Sequence, residues 1–116
     1  MKCIPNNALE SGKIYLRLYR GDCRTVYGRT VHGRTVHRVD AFRCSDVEIT
    51  MDRKLRYICD DNLMLRWVVR YDFGGLELLE SSKRPVNGSI SHNFGKTTFY
   101  ELTEEESLLF FVGSSV

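Results

Sequence analysis

The sequence predicts an α+β protein that is predominantly antiparallel β: a curved or partly closed β-meander sheet with one short C-terminal helix. Three observations lead there. Leu63, Leu65, Trp67, Val69, Tyr71 and Phe73 alternate with Arg66, Arg70 and Asp72, a period of two that places six apolar side chains on one face of a strand. The flanking strand-like segments are separated by short turn sequences, so they read as a meander. Thr103 stands three residues before Glu106, the spacing of a helix capping box.

The chain has 116 residues, enough for a single compact domain that buries roughly two thirds of its unfolded surface. Hydrophobic residues at 42% and charged residues at 28% are those of a folded protein. No apolar run approaches the roughly 20 residues of a membrane span, and the first residues lack a signal-peptide core, so a cytoplasmic location is expected. Cys3, Cys23, Cys44 and Cys59 are widely spaced, with no CxxC pair, and most of them read as buried thiols. No metal or cofactor is expected.

Met1 to Gly12 reads as an irregular lead-in with a helical turn near Asn7 to Ser11. Lys13 to Arg20 alternates, with Ile14, Leu16 and Leu18 inward and Tyr15, Arg17 and Tyr19 outward. Then comes a tandem repeat of about five residues, Arg24 to Gly28, Arg29 to Gly33 and Arg34 to Arg38. Its Thr and Val disfavour helix, and its odd period needs bulges to keep the valines on one face. A long hairpin arm lined with arginine is the expected form.

Val39 to Phe42 reads as a strand fragment. Val47, Ile49 and Met51 pair about an Asp52 to Lys54 turn, setting Met51 opposite Leu55, Ile49 opposite Tyr57 and Val47 opposite Cys59. A second turn at Asp60 to Asn62 carries that face into the Trp67 strand. A Gly74-Gly75 hairpin then sets Phe73 against Leu76 and Tyr71 against Leu78, leaving Asp72 facing Glu77. Ser81 to Ser89 reads as a loop, and Ile90 to Phe94 with Lys96 to Leu102 as an edge hairpin about Gly95. The last helix presents Leu108, Leu109, Phe111 and Val112, ends at Gly113, and either covers the Trp67 face or plugs one end of the sheet.

Function is far less legible. His32, His37 and His92 occupy no catalytic motif, the Asp60-Asp61 pair suits a turn, and the glycines form no phosphate loop, so no enzyme is expected. Residues 1–58 carry a surplus of six basic groups and residues 59–116 a surplus of four acidic ones, and 12 of the 17 basic residues are arginine. Arginine favours forked contacts with carboxylate and phosphate. The expected class is a non-enzymatic interaction protein that occupies a protein or nucleoprotein partner, of the inhibitor or adaptor type that phages and mobile elements use against host nucleases. The candidate contact residues are Arg17, Arg20, Arg24, Tyr27, Arg29, His32, Arg34, His37 and Arg38. The alternative is an RNA or single-stranded DNA binding module using an Arg/Tyr sheet face.

Overall fold

The computed structural model describes residues 2–4, 8–19, 30–31, 34–72, 75–94 and 97–111. Its strands are β1 (Lys2–Ile4), β2 (Ile14–Tyr19), β3 (Thr30–Val31), β4 (Arg34–Ile49), β5 (Lys54–Cys59), β6 (Leu63–Asp72), β7 (Gly75–Pro85), β8 (Ile90–Asn93) and β9 (Thr97–Glu101), followed by helix α1 (Glu104–Phe111). Every pairing between them is antiparallel. The lead-in contributes a strand that was not expected, since Lys2 to Ile4 pair with Glu101 to Phe99, and Asn7, where the helical turn was expected to begin, lies outside the described residues.

The 16-residue β4 is the spine. Val39 to Phe42 is its middle, not a separate fragment. Asp40 to Arg43 pair with β2, Val36 to Ala41 with β6, and Cys44 to Ile49 with β5. The pairing order β1-β9-β2-β4-β5-β8 forms an open curl, and β6 with β7 extends from β4 beside it. The predicted arm begins here: Thr30 pairs with Thr35 and Val31 with Arg34. Its β4 limb does not stand alone, because Val36 to Ala41 are held by β6.

Each face of the sheet has its own core. Inside the curl lie Tyr15, Phe42, Cys44, Leu55, Tyr57, Cys59, Met64 and Phe99. On the outer face Ile14, Leu16, Val39, Ala41, Leu65, Trp67 and Val69 meet Leu102 and Phe110. Leu63, Leu65, Trp67 and Val69 of the alternating β6 stripe are thus where they were expected, with α1 lying over them, and Phe73 lies outside the described residues. Phe110 stands edge-on to Trp67 at 6.1 Å between ring centres, and the indole N–H donates to the Phe110 carbonyl at 3.2 Å. The capping box is formed, Glu106 N–H donating to Thr103 Oγ1 at 3.2 Å and Thr103 N–H to Glu106 Oε1 at 2.9 Å. The helix buries Ser107 and Phe110, whereas Leu108 and Leu109 are more than half exposed, so its inward face is rotated from the one expected. Val112 and Gly113 lie outside the described residues.

Several registers differ from expectation, each for a local reason. Thr50 to Arg53 form the β4–β5 turn, with Arg53 at φ +60°, so Ile49 faces Leu55, Val47 faces Tyr57, and Met51 is left in solvent. A bulge after Cys44 then lets Cys44 face Cys59. Asp61 and Asn62 adopt positive φ in the short 3₁₀ turn Asp60–Asn62, and this turn switches faces: Cys59 points into the curl but Leu63 belongs to the outer core. The β6–β7 register is shifted as well, pairing Tyr71 with Leu76 and Val69 with Leu78. Arg70, not Asp72, therefore faces Glu77, and the two form an ion pair, so no like-charge conflict arises. Ser81 to Pro85 continue β7 rather than looping. Finally, β8 and β9 do not pair with each other; β8 pairs with β5 and β9 with β1 and β2.

Trp67 carries the contact between sheet and helix. Trp67→Ala is expected to cost about 3–5 kcal/mol in chemical denaturation, from lost burial and the cavity left behind. A change near zero in the midpoint would show that α1 does not depend on this face.

Candidate functional site

Polar side chains on strand faces usually point to water, but β2 has a core on each side. Tyr15 and Arg17 point into the curl, with Arg17 only 2% exposed. The expected outward Tyr15/Arg17 face is therefore interior, and neither residue is available as a surface contact. A guanidinium buried so deeply needs a counter-charge and acceptors. Asp40, on the neighbouring strand and likewise 2% exposed, supplies the charge: Arg17 Nη2 donates to Asp40 Oδ2 at 2.8 Å.

The same carboxylate receives two more arginines. Arg66 on β6 donates from Nε to Oδ1 at 2.8 Å and from Nη2 to Oδ2 at 3.2 Å, and Arg84 on β7 donates from Nη1 to Oδ2 at 3.3 Å. Burial alone would raise the Asp40 pKa, but the Arg66 hydrogen bond and the charges of Arg17, Arg66 and Arg84 outweigh it and hold the carboxyl below its ordinary value. The cluster opens outward: the side chain of Arg17 is 1% exposed, that of Arg66 23% and that of Arg84 42%.

On its other side Arg17 meets Tyr57 and His92. Its Nη1 lies 3.3 Å from Tyr57 Oη and 3.3 Å from His92 Nε2, while Tyr57 Oη is 2.9 Å from His92 Nε2 and Thr97 Oγ1 is 3.2 Å from His92 Nδ1. With the arginine able only to donate, Nε2 is the acceptor and Nδ1 carries the proton toward Thr97. Burial, and secondarily the Arg17 charge, lower the His92 pKa to about 4. A continuous polar chain thus runs from Thr97 on β9 through His92, Tyr57, Arg17 and Asp40 to Arg66 and Arg84.

Of the residues singled out in the sequence, Arg17 and Arg38 share a strand face with this cluster, Arg38 lying two positions from Asp40 on β4 and half-buried. His37 alternates to the opposite, Trp67 face. Arg34 enters through its backbone, opposite Val31. Arg20, Arg24, Tyr27, Arg29 and His32 lie outside the described residues. The sequence reading missed Asp40, Arg66 and Arg84. Their signal is a single charge inside an apolar run on adjacent strands: Arg17 within Tyr15–Tyr19, Asp40 within Val39–Phe42 and Arg66 within Leu65–Val69.

Comparison with protein-family models, curated proteins and solved structures finds no match. The site is therefore read from its own chemistry. Among the described residues no group of three or more His, Cys, Asp or Glu is placed to hold a metal, and no helix is long and apolar enough to cross a membrane.

Asp40→Asn removes the one negative charge shared by three guanidiniums and leaves Arg17 buried beside them; a loss of about 3–5 kcal/mol in unfolding free energy is expected. An effect below about 1 kcal/mol would show that Arg17 is compensated elsewhere. The His92 pKa is lower folded than unfolded, so unfolding takes up a proton and acid favours the unfolded chain. Stability is therefore expected to fall as pH drops from about 6.5 to about 4, and His92→Asn should flatten that slope relative to the parent. Parallel slopes in the two proteins would exclude His92 as the titrating group.

Proposed function

We propose that this chain is a small non-enzymatic interaction protein that occupies an acidic protein or nucleoprotein partner. The contact is made through the arginine-bearing face of β4, β6 and β7 and the arginine-rich segment leading into β4. The observation that carries this reading is the charge balance of that face. Arg17, Arg38, Arg66, Arg70 and Arg84 share it with three acids, Asp40, Glu77 and Glu80, the last two placed there by their register opposite Arg70 and Val68. The inner arginine and Asp40 fix the cluster; Arg66 turns its Nε/Nη2 fork onto Asp40, while Arg84, whose side chain is 42% exposed, brings to the surface a guanidinium, a group that pairs with carboxylates and phosphates.

Two further features support binding rather than turnover. Both His92 ring nitrogens are engaged by Tyr57, Arg17 and Thr97, so its bonding capacity serves the fold. The described end of the repeat, where Thr30 and Val31 pair with Thr35 and Arg34, runs into the same strand as Arg38.

The test is a pull-down from source cells with the parent, an Arg38→Glu/Arg84→Glu double variant and an arm variant in which Arg24, Arg29 and Arg34 become alanine, each with and without nuclease. The proposal expects a defined acidic protein retained after nuclease, with affinity that weakens as salt rises and falls at least about tenfold in the double variant. Equal retention by parent and both variants would overturn it. Material that is RNA or DNA, lost on digestion, would instead establish nucleic-acid binding.

A further inference from the structure

Cys44 on β4 and Cys59 on β5 are directly opposed in the ladder, and both side chains lie in the core inside the curl, 0% and 2% exposed. The backbone shows what kind of pair they are. Cys44 N–H donates to the Lys13 carbonyl at 2.9 Å, and the Cys44 carbonyl accepts from Gly12 N–H at 2.8 Å. A strand residue directs both groups to one side, so those of Cys44 point to the β2 edge and away from β5. Cys44 and Cys59 are thus a non-hydrogen-bonded antiparallel pair, the closer of the two kinds, whose Cα atoms ordinarily lie about 4.5 Å apart. That spacing falls within the range a disulfide spans, and the two side chains share a face.

We propose that Cys44 and Cys59 are a disulfide-forming pair, closed by exchange with a small-molecule disulfide such as glutathione disulfide, that clamps β4 to β5 where β4 passes from β6 to β5. In the first step a Cys44 thiolate, its proton lost to solvent, attacks one sulfur of the small disulfide. The small S–S bond breaks, one small thiol leaves and a mixed disulfide forms. The Cys59 thiolate then attacks the Cys44 sulfur and expels the second small thiol. Two protein thiols are oxidised and one small disulfide is reduced to two thiols, with nothing left over.

The fold sets the rate of this exchange. Burial first, then the nearby Asp60 and Asp46 charges, pushes the Cys44 thiol up to about 11. Burial pushes Cys59 higher, to about 12. Both are protonated thiols at neutral pH, sealed from an oxidant. Exchange therefore waits for β5 to part from β4. The Ser45 bulge next to the pair is tied to β5 by its hydroxyl donating to the Ile58 carbonyl at 3.1 Å, a contact that breaks as the strands part.

The experiment uses the full chain with Cys3→Ser and Cys23→Ser, which leaves only the proposed pair. The reduced protein is held with glutathione disulfide, with and without sub-denaturing urea, then alkylated in denaturant and digested with trypsin. The expected product is a monomer in which the peptides Cys44–Arg53 and Tyr57–Arg66 are joined and two hydrogens are lost, formed faster in urea. Its Tm should rise by roughly 10 °C, because the cross-link restricts the unfolded chain. Two free thiols after prolonged exchange in urea, stable glutathione adducts, or intermolecular dimers would overturn the proposal. So would a joined product whose Tm is lower than that of the reduced protein.

Discussion

The buried contact between Arg17 and Asp40 is the constraint around which the remainder of the curl is arranged. Taking a guanidinium out of water costs several kcal/mol, and a facing carboxylate compensates only with good geometry and further hydrogen bonds. Here both conditions hold. The carboxylate accepts from β2, β6 and β7, and the guanidinium reaches Tyr57 on β5 and His92 on β8. His92 in turn meets Thr97 on β9. Strands that share no ladder, such as β8 and β9, are thereby fixed relative to one another from inside. The polar chain specifies how tightly the sheet curls, while apolar burial supplies most of the stabilisation.

Around that chain, aromatic rings fill the space the curl encloses. Phe42 stacks on Tyr57 at 5.0 Å, and Phe99 meets both Tyr57 and His92 edge-on at 5.8 Å. These contacts join β4, β5, β8 and β9 across the interior, so the sheet stays curled although no ladder among the described residues closes it. On the outside the short α1 does a different job. An isolated eight-residue helix is unstable in water, and the Trp67 surface together with the Thr103 cap gives it a place to form.

How much of this could be read from the residues depends on how local the determining physics is. The Trp67 stripe and the Thr103–Glu106 cap follow from spacing within a few residues, and both were legible. Registers were not, because turns set them. Two positive-φ residues, Asp61 and Asn62, reverse the faces of β5 and β6, and the bulge after Cys44 makes the matching correction on β4. Period-two reasoning also assumes one wet face per strand. On β2 that assumption failed, since both of its faces are buried, and Arg17 was read as a surface contact when it is the innermost charge of the cluster. The sharing of Asp40 by three arginines lies further still from a linear reading, as it joins positions 17, 40, 66 and 84 through four strands.

The placement of β9 carries a consequence for how the chain is made. Tyr15 to Tyr19 on β2 pair with Glu101 to Thr97 on β9, and β1 has its ladder with β9 as well. Synthesis runs from the N-terminus, so the first two strands emerge long before the strand that separates and seals them. Until then one edge of β2 and the aromatic interior of the curl remain uncovered, a template for neighbouring nascent chains. Long-range pairing of this kind also slows folding itself. Yield in a heterologous host should accordingly depend on how crowded the ribosomes are and on whether a holdase is at hand, more than on the stability of the finished fold.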